Sequence, residues 1–296
     1  MTVPLTARKV YHMIAITGAN GQLGRLVIEA LLARVPAAQL VALVRDPGKA
    51  EAIAELGVDV RLADYDQSAT LESALKGVEQ LLLISSNDLG QRARQHRAVI
   101  TAAEAAGVKL LAYTSVLHAD DSSLGLAAEH RETEQALRVS DVPYVLLRNG
   151  WYSENYLASV PAALAHHVLL GGAGDARIAS ATRADYAEAA AVVLTTAGHA
   201  GKVYELAGDD SYTLGELAVL ISEQSGDPVA YQDLPQADYK AALISAGLPA
   251  PVADLLADFD AAAAKGALFD DGKQLSKLIG RPTTPIAVAL QQALKA

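Results

Sequence analysis

Along its first half the chain alternates short apolar runs with stretches whose apolar residues recur at helical spacing. Met13–Thr17, Leu40–Val44, Val58–Leu62, Leu81–Ser85, Leu110–Thr114 and Tyr144–Leu147 read as strands. Short apolar runs without strict alternation suit strands covered on both faces, as in a parallel sheet with helices on each side. Between them Gln22–Arg34, Pro47–Leu56, Thr70–Lys76, Gln91–Ala106 and Ala127–Ser140 read as helices. Repeated strand–helix–strand units joined by right-handed crossovers give a doubly wound α/β fold. Beyond residue 150 the pattern changes. Strand signals thin to Arg177–Ala179, Lys202–Leu206 and Val229–Gln232, and helices are predicted over Arg183–Thr196, Thr213–Gln224, Ala237–Ala246, Val252–Lys265 and Pro285–Lys295. Pro249, Pro251 and Gly280–Pro282 mark helix boundaries. The expected organisation is an extension over residues 1–12, a nucleotide-binding domain over 13–150, and a smaller, mostly helical substrate region over 151–296 that returns some elements to the first domain.

Composition narrows the function without choosing it. With 51% hydrophobic residues and 20% charged ones, the 296-residue chain has ample material for a core. No apolar run reaches membrane-spanning length, and the first dozen residues lack the apolar stretch of a signal peptide, so a cytoplasmic, non-membrane protein is expected. The absence of cysteine removes disulfides, thiolate catalysis and thiolate-bound metals. Nor does the His166–His167 pair have an acidic partner at ligand spacing, so no metal site is expected. A net charge of −10 argues against sequence-independent binding to nucleic acid. Homo-oligomerisation stays open.

The chemistry begins at Thr17-Gly18-Ala19-Asn20-Gly21-Gln22-Leu23-Gly24, between the first strand and the first helix. In that context glycines serve a sharp turn, close approach to a pyrophosphate and tight helix–strand packing, while the helix N-terminus offers free N–H groups to phosphates. The second strand ends in Val44-Arg45-Asp46-Pro47. A carboxylate ending this strand would take the ribose 2′-hydroxyl of NAD(H). Arg45 comes first, however, and a guanidinium suits the 2′-phosphate of NADP(H). Asp46 then reads as the N-cap of the next helix with Pro47 at its first position. Asp64, after the third strand, is placed to reach the adenine. Ser85, Ser86 and Asn87, after the fourth strand, and Thr114 and Ser115, at the end of the fifth, lie at the carboxyl edge where ligands sit in such sheets. Past the sixth strand come Asn149, Gly150, Trp151 and Tyr152. Ser180 and Arg183 are further candidates for the cleft, and Thr182 with Asp185 reads as the cap of the helix that follows.

These motifs resemble the NmrA-like group of atypical short-chain dehydrogenases/reductases, in particular its quinone-reducing and triphenylmethane-dye-reducing branches. The resemblance runs from Met13 essentially to the C-terminus. It is carried by Ile14–Gly24, Leu83–Ser86, Ala112–Ser115 and the string Leu147-Arg148-Asn149-Gly150-Trp151-Tyr152-Ser153-Glu154-Asn155-Tyr156. It implies a Rossmann domain with a small C-terminal domain and substrate between them. Ordinary members of the superfamily place a Tyr-x-x-x-Lys pair on the helix after the fifth strand. Here Leu126 and His130 stand at those positions. With the phenol gone, hydride transfer to a quinone or similar conjugated acceptor is expected ahead of alcohol–ketone chemistry. Asn149 and Tyr152 are the candidates to line the reacting end. His130 is either a proton relay or a helix-surface residue paired with Glu134 one turn on. Trp151, Tyr152 and Tyr156 suit stacking of a flat substrate, although Trp151 and Tyr156 equally suit an interdomain core. An NADP(H)-sensing regulator without catalysis, as the NmrA resemblance implies, is the alternative from another class.

Overall fold

The computed structural model describes residues 12–295; the extension expected over 1–12 lies outside them apart from His12. Seven strands form one parallel sheet: β1 (Met13–Ile16), β2 (Leu40–Val44), β3 (Asp59–Leu62), β4 (Val78–Leu83), β5 (Leu110–Val116), β6 (Tyr144–Asn149) and, after an excursion, β8 (Val203–Leu206). Their order is β3-β2-β1-β4-β5-β6-β8, so the winding reverses between β1 and β4 and opens a crevice there at the carboxyl edge. All five residues of β2 are buried, which is why its sequence is a continuous apolar run.

One face of the sheet carries a core of Ile14, Ile16, Leu82, Val145 and Leu147 against the helices Gln22–Leu32 and Arg183–Thr195. The other carries Ala15, Leu81, Leu83, Leu111 and Tyr113 against the helices Ser68–Ala74, Arg92–Ala106 and Ala127–Val139. A third core (Leu157, Leu169, Leu217, Ile221, Phe259 and Leu290 among others) holds the helices of the C-terminal half around a two-stranded parallel sheet of β7 (Val168–Gly171) and β9 (Ala230–Asp233).

Several elements differ from expectation. Arg177–Ala179 is no strand: Ile178 forms a single antiparallel bridge with Tyr212, and β7 lies just upstream instead. The helix expected over Pro47–Leu56 divides into a tight 3₁₀ turn, Pro47–Lys49, and a short helix, Glu51–Glu55. Helices at Ser153–Leu157, Val160–His166 and Gln274–Ile279 give no clear signal in sequence. The caps are as read: Asp46 accepts from Gly48 N with Pro47 at the first position, and Thr182 and Asp185 form a reciprocal capping box. Among the described residues no helix is long and apolar enough to cross a membrane.

Candidate functional site

The glycine turn is built for close approach. Gly18 sits at φ +58°, a region that only glycine enters without cost, and its carbonyl accepts from Gly21 N at 2.9 Å. Gly24 lies on the first turn of the helix directly over that carbonyl; a Cβ there would stand 2.3 Å from Gly18 O. Gly21 caps the helix without a side-chain bond, and the first turn holds no acidic residue. Its N–H groups and the positive end of the helix dipole are thus left for an anion. The Asn20 Oδ1 beside them is buried and finds no hydrogen-bond partner among the described residues. Thr17 faces across the crevice, its hydroxyl accepting from Ile84 N at 2.9 Å.

Arg45 projects from the end of β2 with its side chain 75% exposed. Asp46 is engaged with its own turn and with Lys49 at 3.6 Å, which leaves the guanidinium unclaimed by it. Burial pushes the neighbouring Tyr65 phenol up to about 12, against a hydrogen bond from Thr17 and the Arg45 charge. The Asp64 carboxylate, expected at the adenine, folds back instead to accept from Asp66 N and Gln67 Nε2.

At the ends of β4 and β5 the candidates separate by strand face, since successive side chains point to opposite sides. Thr114 Oγ1 accepts from Ser85 N at 2.9 Å and so shapes the crevice wall. The Ser86 hydroxyl donates to Gln95 Oε1 at 2.5 Å and Ser86 N to His96 Nε2, while Asn87 is exposed. Ser115 points away: its hydroxyl donates to Glu134 at 2.6 Å, inside the helix layer. Its hydroxyl is thereby engaged behind the sheet and turned from the crevice where it was expected. His130 is corrected too. It pairs with Tyr113 Oη at 2.7 Å rather than with Glu134, and it is buried. Burial, with Arg92 and His96 nearby, holds the ring well below its ordinary pKa, so it is a neutral packing residue and not a relay open to solvent.

Sequence reading missed the centre of that layer. Arg148 on β6 donates through Nε and Nη2 to Glu134 at 2.9 and 2.6 Å, and through Nη1 to Glu205 on β8 at 2.9 Å. Burial works against its charge, but the Glu134, Asp120 and Glu205 carboxylates outweigh it and hold the guanidinium above its ordinary value. The available signal was a charge ending the apolar run Val145-Leu146-Leu147.

Next to it, on the opposite face, Asn149 ends β6. Its Oδ1 is buried with no hydrogen-bond partner among the described residues. Tyr152 lies beside that amide; burial raises its phenol, while Asn149 and Arg183 work to lower it. Arg183 stacks 4.5 Å over the Tyr152 ring and donates to Asn155 at 2.7 Å, and Tyr186 meets the same ring edge-on. Gly150 has a packing role: a Cβ would stand 2.9 Å from Leu206 O. Ser180 is sealed in a buried hydroxyl chain with Ser153 and Tyr212, not on an open wall. Trp151 packs edge-on against Phe259 at 4.6 Å, and Tyr156 against Tyr212 at 6.4 Å, both within the C-terminal core.

A glycine turn without a Cβ over its carbonyl, an uncapped helix start and two orphaned amide oxygens fit a dinucleotide. The sequence profile of the NAD(P)H-binding family matches residues 18–198. The chain belongs to that family. It is 65% identical over 275 residues to quinone oxidoreductase 2 of Escherichia coli, covering 93% of this chain and 96% of that protein. The crystal structure of the Escherichia coli NADPH-dependent quinone oxidoreductase complexed with NADPH superimposes with a TM-score of 0.94 at 63% identity, over 95% of this chain and 100% of that one. Citrobacter triphenylmethane reductase complexed with NADP(H) gives 0.92 at 40% identity, over 95% and 99%. These likenesses span this family member from the glycine turn through the C-terminal half.

Proposed function

We propose that this protein is an NADPH-dependent oxidoreductase whose acceptor is a quinone or a similarly conjugated ring. The observation that carries the reading is the helix Ala127–Val139. Where a lysine-tuned tyrosine would deliver a proton, the chain has Leu126 and a buried, neutral His130. The groups left at the reacting edge are the Asn149 amide and the Tyr152 phenol. Both offer hydrogen bonds to developing negative charge and neither is a strong acid, which suits an acceptor whose reduced anion needs little protonation. NADPH, when bound, supplies the hydride.

In this reading Gly18, Ala19, Asn20, Gly21, Gln22, Leu23 and Gly24 hold the pyrophosphate, and Arg45 holds the 2′-phosphate. Thr17, Ser85 and Thr114 shape the crevice wall, and Tyr152 with Arg183 orients the ring of the acceptor. Residues 151–296 cover the substrate, apart from β8 and the helix Arg183–Thr195, which complete the nucleotide-binding half. The likeness to quinone oxidoreductase 2 supports the acceptor class, and the likeness to triphenylmethane reductase favours dye reduction as the second reading.

Purified protein is expected to oxidise NADPH, followed by its absorbance, when simple quinones are added. Absence of turnover above background across a quinone panel ends the proposal. Faster decolourisation of triphenylmethane dyes than quinone turnover shifts it to the second reading. Cofactor binding with no turnover of either leaves the regulatory alternative.

A further inference from the structure

The proposal that Arg45 takes the 2′-phosphate makes its neighbours the determinants of cofactor choice. The acid beside it in sequence, Asp46, is spent on its own turn and on Lys49. The carboxylate that faces Arg45 comes from elsewhere. Asp88, on the loop after β4, places Oδ2 4.0 Å from Arg45 Nη1. Among the described residues Arg45 is the cation within ion-pair range of Asp88.

Asp88 is held there. Gln95, only 3% exposed, donates from Nε2 to Asp88 Oδ2 at 2.9 Å. The other end of that amide accepts from Ser86 Oγ at 2.5 Å, and Asp88 N donates to the same Ser86 oxygen at 3.2 Å. The loop is tied further along, where Gly90 N donates to Glu129 at 2.9 Å. The other acid near Gln95, Asp66, is matched by Arg94 at 2.5 Å. A buried amide therefore presents one carboxylate, and not a freely swinging surface chain, to the guanidinium at the end of β2.

We infer that Asp88 sets cofactor preference: its carboxylate occupies the ground beside Arg45 that a ribose 2′-phosphate needs, opposing NADPH and tolerating NADH. The inference rests on the reading of Arg45 as the 2′-phosphate partner. A 2′-phosphate must share Arg45 with a fixed negative charge, and like charges a few ångströms apart repel even at a wet surface. A 2′-hydroxyl is neutral and can donate to a carboxylate, as the acid ending the second strand does in NAD-binding folds. In this chain that acid comes instead from Asp88 on the loop after β4, where spacing along the sequence does not reveal it.

The test measures binding of fragments by calorimetry, apart from any turnover: 2′,5′-ADP, which carries the 2′-phosphate, against 5′-AMP, which does not. Asp88→Asn is expected to tighten 2′,5′-ADP by about fivefold at low salt, the scale of one unit charge at contact distance in water. The gain should shrink at high salt, and 5′-AMP should not tighten. In turnover the same variant raises the NADPH-to-NADH ratio of kcat/KM. Arg45→Ala is expected to weaken 2′,5′-ADP and spare 5′-AMP. If Arg45→Ala behaves so but Asp88→Asn leaves 2′,5′-ADP unchanged or weaker, the inference is overturned and the Arg45 reading survives. If Arg45→Ala leaves 2′,5′-ADP unaffected, the underlying reading is overturned and the inference with it.

Discussion

Replacing Glu134 with glutamine tests whether the charged layer behind β5 and β6 is a unit of stability. Glu134 is fully buried and accepts from Ser115 Oγ, from two nitrogens of Arg148 and from Arg138 at 3.0 Å. Glutamine keeps the shape but removes the charge and turns an NH₂ group toward the donors of Arg148. Breaking a buried pair by removing one partner costs roughly 3–5 kcal/mol, because the other charge stays behind uncompensated. Arg148 retains Glu205 and Asp120, each at 2.9 Å, and the Asp120 side chain is 65% exposed and solvated. These remaining partners place the expected loss at the lower end, about 3 kcal/mol. For a chain of this size that is about 6 °C in Tm. Urea unfolding followed by circular dichroism should show the midpoint shift with an unchanged slope. Lys240→Ala, which breaks the exposed pair with Asp254, is the control and should cost about 0.5 kcal/mol or less. A Glu134→Gln loss no larger than that control would refute the reasoning, since it would mean that the layer is solvated in solution.

Three further outcomes follow from the same geometry. Gly24→Ala gains about 1 kcal/mol of helix propensity. It also drives a Cβ against the Gly18 carbonyl, an overpacking cost of about 1–3 kcal/mol; melting should show a net loss, and calorimetry a drop in NADPH affinity. Burial, with Arg92 beside it, lowers His96 to about 3. Its contribution is therefore full above pH 6.5 and is lost as pH falls toward 3, so unfolding of His96→Gln between pH 4 and 7 should depend less on pH than that of the parent. Asp260 runs the opposite way: burial raises it from 3.8 to about 6, against the hydrogen bond from Gly172 N. Its contribution is complete below pH 3.8 and is lost as pH rises through 6, by about 3 kcal/mol for a shift of this size. The stability gap between parent and Asp260→Asn should therefore change over that window, and a constant gap would exclude it.

The parts of the fold that were legible in sequence are those set by local pattern. β1, β2, β4, β5 and β6 announced themselves as apolar runs, β3 and β8 as short segments in which polar residues interrupt the apolar ones, and the glycine turn carries its function in a spacing of a few residues. β7 escaped because Val168–Gly171 is short and follows two exposed histidines. Arg177–Ala179 misled because Ile178 and Ala179 are buried without a ladder to pair with. The candidate site was legible to the same depth. Asn149 and Tyr152 do lie side by side. Ser115 falls on the face of β5 that packs on the helix layer, and His130 lies on the inner face of its helix against Tyr113, pairings made only in the folded chain. Glu134 and Arg148, separated in sequence, meet only in the folded chain.

β8 has a consequence for how the chain is made. It pairs with β6 only after the whole β7 excursion, so Asn149 lies on an open edge until residue 206 has been synthesised. An unpaired edge of this kind invites pairing with other chains, and late, long-range closure slows folding. A fragment ending at residue 150 would lack the partner strand, the Glu205 counter-charge of Arg148 and the helix Arg183–Thr195 that covers Leu147. Nascent chains stalled before residue 206 are therefore expected to aggregate rather than bind cofactor. Ribosome-bound fragments ending on either side of β8 would show the change as a step in solubility.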